Sequence, residues 1–183
     1  MIQEPHSPED LSREALEAYQ RGAYEDAAQG FQTAKREFLD CGDVIAAAEA
    51  ANNLSVVLLK MDRGEEALEA VKETPEIFLR AGDQQREVMA LGNLAAALEA
   101  CGEIRQAEEF YFQALARLEE NGDQETRSYL LQALSRLQLG DGKPFDALTS
   151  MQGALDSQPR FSLRTRLLRK LFEVPGRLLG RGS

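Results

Sequence analysis

The sequence predicts an all-α fold: four helical hairpins stacked as an α-solenoid, followed by a basic amphipathic C-terminal helix. Two recurrences predict the hairpins. Glycine-aspartate stands at Gly42-Asp43, Gly82-Asp83 and Gly122-Asp123, and an alanine opening a helical segment stands at Ala27, Ala67, Ala107 and Ala147, both in steps of 40 residues. A fixed period of this length marks an array whose units bury their apolar faces against their neighbours. The third observation is a break in charge. Residues 159–183 carry seven basic side chains and one acid, Glu173, for a net +6, which leaves −16 on the preceding body out of −10 overall.

The first helix is predicted over 8–21, opened by Ser7-Pro8-Glu9-Asp10 with a capping serine and a proline at the first helical position. The others are predicted near 24–40, 43–61, 64–80, 84–101, 104–121, 123–139 and 144–157. They alternate as helix A and helix B of each hairpin. In helix B the alanine series is followed four residues on by Phe31, Val71, Tyr111 and Met151, and seven on by Ala34, Thr74, Ala114 and Ala154. This is one helical stripe, small then large then small. In helix A, Leu11, Ala51, Leu91 and Leu131 form one column; Glu14, Leu54, Leu94 and Leu134 a second; Ala15, Ser55, Ala95 and Ser135 a third. Gly22, Gly102 and Gly142 fall in the A-to-B turns, where repeat two shifts its glycine to Gly64. The Gly-Asp pairs join one repeat to the next: glycine ends helix B with a left-handed residue and aspartate caps the following helix A.

Pro75 interrupts the second helix B, so that helix is expected to be kinked or split. The break either sets the curvature of the array or makes a partner site on its convex face. The domain plan is a flexible leader at 1–7, the solenoid at 8–158 with repeats of about 8–42, 43–82, 83–122 and 123–158, and the basic tail at 159–183.

The columns Leu91, Leu94-Ala95, Leu98, Gly102, Ala107, Tyr111 and Ala114 resemble the tetratricopeptide repeat (TPR) pattern, and four copies fall in register. The 40-residue length is similar to that of kinesin light chain and LGN-type arrays. Glu14, Gln138 and Thr74-Pro75 depart from the pattern. The resemblance implies a right-handed α-solenoid of four TPR-like hairpins, with helix A lining a concave groove. By register the groove then presents Asn52, Asn53, Val56 and Leu59; Met89, Asn93 and Ala96; and Tyr129, Gln132, Ala133 and Arg136. Asn53 and Asn93 are equivalent positions, and an amide both donates to and accepts from a peptide backbone. Asn52 and Asn53 have a second reading, as groups that satisfy neighbouring helix ends. The basic carboxylate clamp of chaperone-binding relatives is absent, because Ser12, Leu16, Asn53, Met89 and Asn93 occupy its positions.

Catalysis is not expected. The chain has one histidine, His6, in the leader, and no phosphate loop, paired histidine ligands or nucleophile elbow. The Glu65-Glu66 and Glu108-Glu109 pairs belong to solvated faces, and Cys41 and Cys101 fit neither a disulfide framework nor a metal site, so no metal or cofactor is expected. The acidic body repels phosphates, which argues against nucleic acid. The start has no basic n-region or apolar core, and the uncharged run Val88 to Leu98 is far short of the about 20 residues that span a bilayer, so a cytoplasmic location is expected.

The function expected is a protein-protein interaction scaffold or adaptor whose partner is a basic or mixed, partly apolar segment. In the tail, Leu163, Leu167, Leu168, Leu171, Phe172 and Val174 gather on one helical side, and Arg166, Arg169 and Lys170 on the other, with Arg160 ahead and Arg164 interrupting the apolar side. Such a helix serves as a cap on the last hairpin, as a peripheral contact with an anionic membrane, or as a docking element for a partner or another copy. The alternative is an autoinhibited regulatory or sensor subunit in which the tail occupies the groove until displaced.

Overall fold

Helices form where small and large apolar residues share one stripe, and they stop where glycine or a left-handed residue turns the backbone. In the computed structural model, which describes residues 7–118 and 123–157, these rules produce nine helices among the described residues. They are α1 (Pro8–Gln20), α2 (Tyr24–Asp40), α3 (Val44–Lys60), α4 (Gly64–Val71), α5 (Thr74–Ala81), α6 (Gln84–Ala100), α7 (Ile104–Arg117), α8 (Gln124–Gly140) and α9 (Pro144–Ser157). The predicted leader, but for Ser7, and the predicted tail lie outside the described residues.

The chain divides into two compact units, Met1–Phe110 and Tyr111–Ser183. In the first, α1 pairs with α2, α2 packs on α3, and α3 packs on both α4 and α5; α6 packs on α3, α4 and α5. In the second, α8 and α9 form an antiparallel pair. The predicted columns supply the core. Ala27, Ala67, Ala107 and Ala147 are buried, as are Phe31, Val71 and Tyr111, while Met151 is only half-buried. Burying Phe31 or Val71 contributes about 1.5–3 kcal/mol each, more than the roughly 1 kcal/mol of a helix cap. Packing therefore decides the fold, and the caps set its boundaries. The buried hydroxyls of the third A-helix column are satisfied: Ser55 Oγ donates to the Asn52 carbonyl at 2.7 Å and Ser135 Oγ to the Ala147 carbonyl at 2.7 Å.

Helix starts follow the predicted chemistry. Ser7 Oγ accepts from the Asp10 amide at 3.1 Å, Asp43 from Ala46 at 2.9 Å, Asp83 from Arg86 at 2.9 Å, and Asp123 from Glu125 and Thr126, both at 3.0 Å. Gly42 and Gly82 are left-handed, with φ of 81° and 71°; Gly122 lies outside the described residues. Repeat two differs from expectation at its A-to-B turn. The left-handed residue there is Asp62, at φ 56°, not Gly64. Gly64 instead opens α4 hard against α6, where a Cβ would sit 3.0 Å from Ala100 Cβ and 3.2 Å from its carbonyl carbon.

The second helix B is split, as Pro75 predicts. α4 ends at Val71 and α5 restarts at Thr74, which puts Pro75 in the first turn of a new helix, where its missing N–H breaks no ladder. The cost of about 3 kcal/mol for a proline inside a helix is thereby avoided. Thr74 Oγ1 donates to the Val71 carbonyl at 2.9 Å and closes the end of α4.

Two outcomes follow from this geometry. A Cβ on Gly30 would lie 2.8 Å from Ala15 Cβ, so Gly30→Ala forces α1 and α2 apart. The expected loss is about 1–3 kcal/mol from overpacking, offset by up to about 1 kcal/mol of helix propensity. Gly140→Ala, with nothing within 4 Å, gains the propensity alone. Urea melts that rank the two variants in the opposite order would refute the close-contact account. The second outcome concerns acid. The Arg86 backbone amide, and then its guanidinium, hold the Asp83 carboxyl below its ordinary value. A lowered carboxyl stabilises the fold above the unfolded value, about 3.9, and loses that contribution as pH falls through the folded value. Asp83→Asn keeps a capping side chain but does not titrate, so it is less stable than the wild type at neutral pH, and the gap closes below about pH 4. Thermal melts across pH 7 to 2.5 check this.

Candidate functional site: the open face of the A helices

The open face of α3 and α6 is what remains after two faces of each helix are used for packing. Ala47, Ala50, Ala51, Leu54, Val57 and Leu58 are buried in α3, and the 40-residue period buries Glu87, Ala90, Leu91, Leu94, Ala97 and Leu98 in α6. The remaining stripe runs Glu49, Asn53, Val56 and Lys60 on α3, and Met89, Asn93, Ala96 and Ala100 on α6, each at helical spacing.

Two polar contacts join these helices. Asn93 Nδ2 donates to Asn52 Oδ1 at 3.1 Å, and Arg86 Nη1 donates to Glu49 Oε2 at 2.9 Å. Arg86 also donates from Nε to Asp83 Oδ2 at 2.7 Å and lies over the Phe78 ring, 5.5 Å from its centroid. The Asp83 contact, with Glu49 adding to it, raises the Arg86 guanidinium above its usual value, so it is charged at any physiological pH. Glu49 is matched by that charge. Between the ion pair and Lys60 the stripe is uncharged: amides interleaved with apolar groups.

The predicted residues separate by role. Asn52 is only 6% exposed, so it meets Asn93 rather than solvent. Its partner is thus a side chain of the next A helix and not a helix end. Asn53 is half-buried and has no side-chain hydrogen bond among the described residues. Val56, Leu59, Asn93 and Ala96 are half-buried, and Met89 is 48% exposed. In the second unit, α8 exposes Tyr129, Gln132 and Arg136, while Ala133 is buried. Gln132 Nε2 donates to Ser128 Oγ at 3.0 Å, and Ser128 Oγ donates to the Ala154 carbonyl of α9 at 3.1 Å. Arg160, Arg164, Arg166, Arg169 and Lys170 lie outside the described residues. Sequence reasoning missed Glu49 and Arg86, whose separation of 37 residues falls off the repeat period.

Other chemistry is sparse. Cys41 is exposed and Cys101 half-buried, both as free thiols, and burial first, then Glu65 and Glu103, pushes the Cys101 thiol up, away from the reactive thiolate. Among the described residues no group of three or more His, Cys, Asp or Glu side chains is placed to hold a metal ion, and no helix is long and apolar enough to cross a membrane.

Comparison with known proteins agrees with this architecture. The family model for the tetratricopeptide repeat matches residues 46–120, which span α3 to α7. The matched stretch thus carries tetratricopeptide repeat sequence, and the helices from α3 to α7 are its structural form. No curated protein matches the sequence. Among solved structures, the crystal structure of BtubC (BKLC) from P. vanneervenii is similar with a TM-score of 0.73 at 21% identity, over 85% of this chain and 68% of that one. MamA 41-end from Desulfovibrio magneticus RS-1 gives 0.64 at 15% identity over 83% and 76%, and a crystal structure of MamA gives 0.61 at 17% over 84% and 80%. These likenesses show the fold, an α-solenoid of helical hairpins. Repeats of this family form a general scaffold for protein-protein interaction.

The Asn52–Asn93 contact is expected to show in stability. A double-mutant cycle of Asn52→Ala and Asn93→Ala should give a coupling of about 0.5–1.5 kcal/mol, against about 0.2–1 kcal/mol for Glu49→Ala with Arg86→Ala at the more exposed ion pair. A zero coupling at the asparagines would mean that Asn52 does not orient Asn93.

Proposed function

We propose that this protein is a non-catalytic scaffold or adaptor that holds an extended segment of a partner protein along the open face of its A helices. The observation that carries the reading is the pair Asn53 and Asn93. They sit at equivalent positions on α3 and α6, between apolar Val56, Leu59, Met89 and Ala96, and Asn93 is oriented from beneath by Asn52. Amides so placed satisfy the donors and acceptors of an extended backbone with little regard for its side chains. The apolar neighbours supply the preference for one segment over another. Tyr129, Gln132 and Arg136, exposed on α8, give the second unit an open face of its own.

The charge of the body selects the segment. At −16 over residues 1–158 it favours a basic or mixed, partly apolar partner, and disfavours an acidic one steered to the A-helix face. The tail, at +6, either brings the scaffold to an anionic membrane or larger assembly, or occupies the acidic body until a partner displaces it. The second arrangement makes the protein an autoinhibited regulatory subunit, and the opposite signs of tail and body favour it.

Full-length protein and a chain ending at Gln158 are to be compared in pull-downs from native lysate with membranes retained. Partners held by both, and lost from Asn53→Ala with Asn93→Ala, are the expected result. Capture that survives the double substitution would remove the A-helix face from the binding reaction. Stronger capture by the shortened chain supports the autoinhibited arrangement, and co-sedimentation of only the full-length chain with anionic liposomes supports the membrane role.

A further inference from the structure

Among the described residues, α9 is the B helix that no A helix follows. In the first unit α2 packs on α3, and α4 and α5 pack on α6, so the next A helix hides one stripe of each B helix. Phe31 and Val71 lie in that stripe at 2% and 0% exposed, whereas Met151, in the same column of α9, is only half-buried. α9 ends at Ser157, ahead of Gln158-Pro159, and residues 158–183 come after it.

Those residues continue the columns of the A helices. Ala47, Ala48, Ala50, Ala51, Asn52 and Leu54 are buried in α3, and the six positions 40 residues on are buried in α6. In the tail the same columns hold Leu167, Leu168, Lys170, Leu171, Phe172 and Val174, apolar at five of the six. The columns exposed in both α3 and α6, those of Val44, Ile45 and Glu49, hold Arg164, Thr165 and Arg169. Arg164, an interruption on the apolar side of an isolated helix, thus falls where α3 and α6 meet water. The exception, Lys170, comes with a matching change. Phe38 shares a core cluster with Ala50, and Phe78 shares one with Ala90, and these two columns continue as Gln158 and Lys170. Both members turn polar together, and a glutamine carbonyl accepts from an ammonium. Ser162 stands in the column of Gly42 and Gly82 and supplies a capping side chain, and Pro175 ends the run.

We propose that residues 163–174 dock on the open stripe of α9 of their own chain, in the register of a further A helix. Leu167 then lies against Ala154, and Leu171 and Val174 cover Met151. The link 158–162 is longer than the three residues, 41–43, that join α2 to α3, so the seat is within reach. This inference rests on the reading that tail and body associate, and it puts that contact on α9 rather than on the A-helix face. The same leucines cannot both cover α9 and enter a lipid surface, so a seated tail is withheld from membranes while its arginines stay outside.

Methionine ε-methyl NMR of the full chain reads the seat directly, because Met151 lies on α9 and Met89 on the A-helix face. The expected result is nuclear Overhauser contacts from the Met151 methyl to leucine methyls of the tail. Leu171→Asp should shift Met151 and leave Met89 in place, and Arg169→Asp should move neither. Protection of the 167–174 amides against hydrogen exchange should fall roughly tenfold or more in Leu171→Asp. If that substitution disturbs the body, seen as lost helical circular dichroism, the wild-type Met151 contacts decide alone. A shift of Met89 in place of Met151 would put the tail on the A-helix face, and a Met151 methyl without tail contacts would leave α9 open. Either outcome overturns the seat, and neither bears on partner capture through Asn53 and Asn93, which the pull-down reads. An equal effect of Arg169→Asp and Leu171→Asp overturns the register.

Discussion

Two helices can lie close enough to share a core only where the side chains between them are small, and that requirement governs every other feature of this molecule. At Gly30 and Ala15 the approach of α2 to α1 leaves no room for one more carbon. At Gly64 the start of α4 meets the backbone of Ala100 at the end of α6. Buried alanines open the B helices, and buried alanine or serine recurs in the third A-helix column. With the small residues spent on close contact, the larger ones, Phe31 and Val71 in the B helices and Leu54 and Leu94 in the A helices, fill the space beside it. α3 and α6 are thus each committed on two sides, and the stripe left over is the face available to a partner.

Much of this was legible because it repeats. The 40-residue columns identified the buried stripes, the capping aspartates and the left-handed glycines, all of which depend on one residue meeting the same local need in each copy. Proline chemistry located the split helix. What escaped the columns are contacts that do not keep the period. Glu49 meets Arg86 across 37 residues and Asn52 meets Asn93 across 41, so no comparison of equivalent positions brings either pair together. Register placed Asn52 and Asn53 side by side on the groove, but neighbours on a helix point about 100° apart, and the structure turns Asn52 into the contact with α6 while Asn53 stays half-exposed. At Gly64 the residue type was noticed and its reason was not: the turn is made by Asp62, one of the polar residues that tolerate a left-handed backbone.

Arg86 shows how one off-period residue ties several levels together. Its amide is capped by Asp83, its guanidinium returns to that same carboxylate, its central carbon lies over the ring of Phe78 of α5, and its far end reaches Glu49 of α3. A cap, an aromatic contact and an inter-helix ion pair thereby converge on the first turn of α6. None is large alone, since the charged side chains involved are partly exposed and water competes for them. Their common effect is positional: they fix where α6 starts relative to α3 and α5, and with it the depth at which Asn93 finds Asn52.

The split in the second B helix belongs to the same logic of space. An unbroken helix across residues 64–81 would have required a proline in its interior and the loss of a backbone hydrogen bond. Ending α4 at Val71 removes that conflict, and Thr74 and Phe78 still reach the core because α5 resumes with its own buried stripe. The interruption puts a non-helical link in the wall facing α2, above a floor of alanines that are small for a different reason, the close packing of α3. Two local requirements, neither concerned with binding, thus leave a hollow between them.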